Sequence, residues 1–208
     1  MPSANVFIPF YSRNGTTEKL ALAIAEGARS AGAEVRLRRV ADIVPEEIML
    51  KAPGWRENSE RMIKEYGIPS EADAEWADGI IFGTPTRFGN TSAELKAFID
   101  SLGGLWFQGK LNGKAGSAFC STSTKHGGNE STLISLYNPM CHLGLILVPL
   151  GYADPTMFQA GTPYDASSVS GQSNTPPTDL DLAVARYQGR RVTEVAAALK
   201  NARITETK

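Results

Sequence analysis

Residues 79–90 read Gly79-Ile80-Ile81-Phe82-Gly83-Thr84-Pro85-Thr86-Arg87-Phe88-Gly89-Asn90, an apolar run that empties into a glycine-bracketed loop, and Ser92 then opens a helix-like stretch. An uncharged run of this length, bounded by turn formers, fits a strand covered on both faces. A loop leaving the carboxyl end of such a strand is where open α/β sheets bind ligands. The rest of the chain must then supply neighbouring strands and the helices that cover them.

It does so on both sides. Asn5-Val6-Phe7-Ile8-Pro9-Phe10-Tyr11 is nearly all apolar, as a central strand should be. Between Thr16 and Ala31 the residues Leu20, Ala23, Ile24, Gly27 and Ala28 recur at helical spacing, and Gly32 follows as a stop signal. Further strands are expected at 34–40, 76–82, 115–121 and 145–150, and further helices at 92–102, 130–143 and 179–201. This alternation predicts an α/β fold, a parallel sheet with right-handed crossovers, in one domain spanning 1–208. Two connections are long. Residues 44–74 contain a helix-like piece, Asn58 to Tyr66, and read as an insertion. The segment of about 161–178, rich in Ser, Gly, Asn and Pro from Ala166 to Pro177, reads as a long surface loop.

A chain of 208 residues with 42% hydrophobic and 21% charged residues is long enough to bury a sizeable core. A formal net charge of -1 argues against a nucleic-acid binder. The one basic cluster is Arg36, Arg38 and Arg39; at period two, Arg36 and Arg38 share a strand face and read as solvated. The first apolar run is too short for a signal-peptide core or a membrane span, so a cytoplasmic protein is expected. Cys120 and Cys141 show no metal-ligand or Cys-x-x-Cys pattern and read as small buried thiols; no metal is expected.

The chemistry lies in three loops. Tyr11-Ser12-Arg13-Asn14-Gly15-Thr16-Thr17 joins the first strand to its helix, and small hydroxyl residues with glycine at a helix N-terminus suit an anion. Thr16 or Thr17 acting only as a helix cap is the competing reading. The loop lacks the spacing of a dinucleotide fingerprint or a Walker loop, so a mononucleotide phosphate fits better. A near-match to the Walker pattern at Gly104 to Lys110 fails, because Leu111 replaces the required Ser or Thr and a helix precedes it. The third loop, Ser121-Thr122-Ser123-Thr124-Lys125-His126-Gly127-Gly128-Asn129, leaves the fourth strand. All three should converge on one sheet edge.

Together with Gly103-Gly104-Leu105-Trp106 and the tail Ala185-Arg186-Tyr187-Gln188-Gly189, these loops resemble the tryptophan-repressor-binding-protein family, flavodoxin-like FMN-dependent NAD(P)H:quinone oxidoreductases, nearly end to end. The resemblance implies a three-layer sandwich with a five-stranded parallel sheet of order 2-1-3-4-5. It implies that Ser12, Arg13, Asn14, Gly15, Thr16 and Thr17 hold the FMN phosphate. Pro85, Thr86, Arg87, Phe88 and Gly89 would line the flavin ring, with backbone N–H groups of the Arg87–Gly89 turn on its N5 and O4 region. Ser121, Thr122, Ser123, Thr124, Lys125, His126 and Gly127 would cover the pyrimidine side. His142 and Trp106 match positions that border the substrate space, His142 also as a cofactor contact and Trp106 as a quinone contact. Catalytic roles would fall to Arg87, whose charge favours the anionic reduced ring, and to His142, which would bond or protonate the quinone; a structural histidine is the alternative. NADH or NADPH would be the co-substrate in a ping-pong reaction, and the family is tetrameric, a dimer of dimers, with sites shared between subunits. Asn14 stands where many relatives carry an aromatic residue, the third loop is one residue longer around Lys125-His126, and the segment from Pro53 to Pro69 is longer than in bacterial relatives. Two rival readings are an electron-carrier flavodoxin, for which a net charge of -1 is too weakly acidic, and a regulatory flavoprotein without turnover.

Overall fold

The computed structural model describes residues 4–202. The strands β1 (Asn5–Phe10), β2 (Glu34–Arg39), β3 (Gly79–Pro85), β4 (Ala115–Thr122) and β5 (Ile146–Leu147) are all parallel, in the order β2-β1-β3-β4-β5. This is the flavodoxin-like order.

Alternation along β1 shows why the sheet needs two helical layers. Val6, Ile8 and Phe10 enter one buried cluster with Leu20, Ile24, Val184 and Val192, from α1 (Thr16–Ser30) and the C-terminal helix at Asp179–Ala202. Phe7 and Tyr11 enter the opposite cluster with Leu95, Phe98, Leu133 and Leu136, from helices at Ala93–Ser101 and Asn129–His142. A strand buried on both faces has no polar side to spare, hence the continuous apolar run.

The β2–β3 crossover holds α2 (Glu46–Met49), α3 (Trp55–Tyr66) and α4 (Glu71–Trp76). Trp76 therefore closes a helix instead of opening β3, which starts at Gly79 and runs through Pro85. Gly83 sits where a Cβ would lie 2.1 Å from the Phe119 ring, so glycine lets the strand lie beneath that aromatic. After β3 come α5 (Ala93–Ser101), α6 (Gly103–Phe107), β4, and α7 (Asn129–His142). The described residues end in α8 (Pro155–Ala160), β6 (Ser167–Val169) and α9 (Asp179–Ala202).

Several expectations need correction. The strand expected over 145–150 contracts to Ile146–Leu147, which pairs with Ala115 and Gly116 only. Further along β4, Cys120 to Thr122 pair instead with β6, so two separated pieces fill one strand position. The presumed surface loop thus begins as a sheet element, with Ala166, Ser168 and Ser170 buried. Ser167-Ser168-Val169 shows no apolar alternation, because backbone pairing and the buried Asp165 hold it, not side-chain burial. Arg36 and Arg38 are half-buried, both paired with Asp73 at 3.2 and 3.5 Å, and Arg36 stacks on Trp76; this face is not simply solvated. Cys120 is buried, its thiol pushed well up by burial, but Cys141 is exposed on α7. Among the described residues no helix is long and apolar enough to cross a membrane.

Candidate functional site

A cleft opens at the carboxyl ends of β1, β3 and β4. It is lined by Ser12, Arg13, Asn14, Thr16 and Thr17; by Pro85, Thr86 and Arg87; by Ser121, Thr122 and Ser123; and by Ser170 and Asn174. The three loops do converge, because parallel strands deliver their carboxyl ends to one edge. Its volume of about 190 Å³ is below the roughly 300 Å³ of an enclosing ligand site, so a large ligand would lie in an open trough.

The competing cap reading of the first loop does not hold. The N-cap of α1 is Gly15, in the left-handed region at φ 92, and no side chain caps the helix. By contrast, Ser70, Ser92 and Asp154 cap α4, α5 and α8 with their side chains. Ser12 Oγ accepts from the Gly15 N–H at 3.1 Å and shapes the loop. Thr17 and Ser121 share a hydroxyl–hydroxyl bond of 2.9 Å that ties the first loop to β4. The lining holds two arginines, Arg13 and Arg87, and no carboxylate. Positive charge beside a helix N-terminus, with hydroxyls as further donors, suits an anion.

On the β3 side, Arg87 to Asn90 form a tight turn in which Arg87 and Asn90 exchange backbone bonds of 2.8 and 3.1 Å. Phe88 (φ 54) and Gly89 (φ 76) are both left-handed, and Phe88 is fully exposed. A bulky residue in that region is strained, a feature that clusters at ligand clamps. The turn narrows the expectation for its backbone donors. The Arg87 N–H is spent on Asn90 O, and the Gly89 N–H on Thr86 Oγ1 at 3.2 Å. Of the three, only the Phe88 N–H has no partner among the described residues.

Ser170 and Asn174 went unrecognised in the sequence. Ser170 reaches the cleft by following β6, its N–H and Oγ both donating to Thr122 O. Asn174, also left-handed at φ 53, accepts from Asn14 Nδ2 at 2.9 Å across the opening. Their only signal was membership of a long polar loop.

Other expected residues lie elsewhere in the chain. Phe88 and Gly89 stand at the rim, and Thr124 and Gly127 sit beyond the lining; Lys125 and His126 border a separate hollow with Asp181 and Val184. His142 is at the wrong end of its helix for this cleft: α7 starts at the carboxyl edge of β4 and runs 14 residues, about 20 Å, to the opposite edge. There Gly144 accepts from the Gly113 N–H and Ile146 pairs with Ala115. Trp106 lies on the same far edge, where Lys110 pairs with Glu75 at the end of α4, and it is 55% exposed beside an 84% exposed Phe107. Within one chain, neither His142 nor Trp106 meets the cleft.

A cleft lined by hydroxyls and two arginines at the carboxyl edge of a 2-1-3-4-5 parallel sheet places the protein in the flavodoxin-like class of fold. The family model for NADPH-dependent FMN reductase matches residues 10–155, and the chain belongs to this family of oxidoreductases. It is 44% identical over 94% of its length to an NAD(P)H dehydrogenase (quinone) from Paraburkholderia phymatum, covering 98% of that protein. A second protein of that description, from Methylocella silvestris, is 44% identical over 95% of the chain and 99% of its own length. Among solved structures, a flavodoxin, WrbA-like protein from Agrobacterium tumefaciens aligns at 27% identity with a TM-score of 0.66, over 94% of this chain and 99% of that one. An archaeal flavodoxin, 18% identical with a TM-score of 0.59 over 94% and 99% of the two chains, shares the fold.

Proposed function

We propose that the cleft binds FMN with its phosphate on the loop from Ser12 to Thr17, and that the protein passes electrons from NADH or NADPH to quinones by a ping-pong reaction in the cytoplasm. The observation carrying this reading is the lining itself: two arginines, an uncapped helix N-terminus and a ring of hydroxyls, with no carboxylate to repel a phosphate. The flavin, when bound, supplies hydride acceptance and return. Thr16 and Thr17 donate to the phosphate, the Phe88 N–H faces the ring edge, and the Arg87 guanidinium, which bonds Thr86 O at 3.0 Å, offsets negative charge there. Ser121 to Ser123 close the pyrimidine side.

His142 and Trp106 enter this scheme only from a neighbouring subunit. The cleft is an open trough, while the far sheet edge exposes Trp106, Phe107 and His142 together, so stacking one subunit's far edge over another's cleft would roof the ring. A homotetramer with shared sites is the assembly proposed.

Purified protein reconstituted with FMN should oxidise NADH or NADPH, and faster with benzoquinone present. Failure to bind flavin, or bound flavin that neither nucleotide reduces, would overturn the enzyme reading. Thr16→Ala/Thr17→Ala should weaken FMN by about 1 to 2 kcal/mol for each lost bond to the charged phosphate. Equal FMN affinity in wild type and double variant contradicts the phosphate assignment. Trp106→Ala should raise the quinone KM several-fold while FMN affinity stays unchanged; an unaltered KM places Trp106 outside the quinone space.

A further inference from the structure

We infer that the crossover helix α3 makes Arg13 the phosphate-recognising cation of the cleft, with Trp55 as its positioning residue. The inference rests on the flavin-site reading above. Arg13 makes no ion pair among the described residues; its guanidinium lies 3.8 Å over the Trp55 ring, at the cleft wall. Arg13 is partly buried, and an arginine on a flexible stem would lose rotamer freedom on binding an anion; stacking removes much of that loss beforehand.

Trp55 is itself fixed. Its Nε1–H donates to Asp42 Oδ1 at 2.8 Å, and Asp42 also accepts from Tyr11 OH at 2.7 Å and Ser59 Oγ at 2.6 Å. The fully buried Arg39 reaches Asp42 at 2.7 Å and donates from Nη2 to Ser12 O at 3.2 Å, so the same node holds the loop backbone. Burial pushes the Asp42 carboxyl up, but the donors of Arg39, Ser59 and Tyr11 prevail and hold it below its usual range. From further along α3, Asn58 Nδ2 donates to Arg13 O at 3.5 Å, and Arg61 grips Glu18 of α1 through bonds of 2.8 and 2.7 Å. Helix α3 therefore braces both the loop and the helix N-terminus behind it. The group recognised is a phosphate, supplied by the flavin mononucleotide or by the nicotinamide nucleotide.

The test compares FMN with riboflavin, which lacks the phosphate, by fluorescence titration of wild type, Arg13→Ala, Trp55→Leu, Trp55→Phe and Trp55→Leu/Arg13→Ala, each checked by thermal melting. Arg13→Ala should weaken FMN about tenfold and leave riboflavin unchanged. Trp55→Leu should weaken FMN about threefold, Trp55→Phe should restore most of that loss, and Trp55→Leu should add nothing in the Arg13→Ala background. If the phosphate belongs to the nucleotide, the KM for NADH or NADPH rises instead while the FMN-to-riboflavin ratio holds, and the inference stands. Equal losses for FMN and riboflavin, additive single effects, or no change in any ligand overturn it while leaving the flavin site intact. A wild type that binds neither flavin overturns both. Should Trp55→Leu fail to fold, the Arg13→Ala and Trp55→Phe ratios decide.

Discussion

Gly189→Ala is expected to destabilise the protein by about 3 kcal/mol or more and to leave little folded material at physiological temperature. On an open helix face the same change stabilises by up to about 1 kcal/mol, because glycine is the poorer helix former. The crossing of α1 and α9 reverses the sign. A Cβ on Gly189 would stand 2.0 Å from Ile24 O and 2.8 Å from the Ala28 N, and one on Gly27 would stand 1.9 Å from Arg186 O. These obstacles are backbone atoms, so relief requires the two helices to separate. Separation would unpack Leu20, Ile24, Val184 and Val192 from the sheet and draw Gln188 out of its buried bonds to Ser117 Oγ and Ala118 O. Gly103→Ala provides the control, since nothing lies within 4 Å of its Cβ position. Urea unfolding should show a large loss for the first variant and none for the second; similar midpoints would mean the crossing has slack.

That prediction also marks what a reader of the sequence could and could not extract. Ala185-Arg186-Tyr187-Gln188-Gly189 was recognisable as a motif, but its reason lies in a helix about 160 residues earlier in the chain, whose Gly27 completes the close approach. The strands β1, β3 and β4 were legible because burial on both faces leaves continuous apolar runs. β6 was not, because Ser167 to Val169 is held by backbone pairing with β4, which leaves no periodicity. The turn into α6 was hidden by Gly103-Gly104, residues that usually break a helix.

The site divides in the same way. Residues beside β1, β3 and β4 were found from loop chemistry, since their convergence follows from a parallel sheet. Ser170 and Asn174 reach the cleft only through the split strand, and Trp55 only through tertiary contact with Arg13. Such contacts carry no local signature. His142 shows the converse: its helix was legible, but the helix length places it about 20 Å from the cleft.

The pH dependence of stability should carry the mark of Asp165. This carboxyl is fully buried beneath β6, accepting from Ser117 Oγ at 2.8 Å, Tyr137 OH at 2.8 Å and the Ala118 N–H at 3.2 Å. Burial pushes it up to about 7, only partly opposed by those three donors. In the unfolded chain it titrates near its ordinary value of about 3.9. Between these values the folded protein keeps a proton that the unfolded chain has lost, so Asp165 favours the fold at low pH and its contribution fades as pH rises through about 7. The slope reaches about 1.4 kcal/mol per pH unit, and about 4 kcal/mol is lost in all. Asp165→Asn cannot titrate. It carries a constant cost of about 1 to 3 kcal/mol, because its amide must face the Ala118 N–H or the Ser117 hydroxyl with a donor. The advantage of wild type over Asp165→Asn should therefore be largest near pH 4, shrink as pH rises towards 7 and reverse by pH 8, read from urea midpoints at each pH. An advantage that stays constant or widens would mean that the three donors hold Asp165 ionised throughout. Asp165 stands just before β6, the strand that carries Ser170 to the cleft wall, so the desolvation cost of its ionisation falls on that segment.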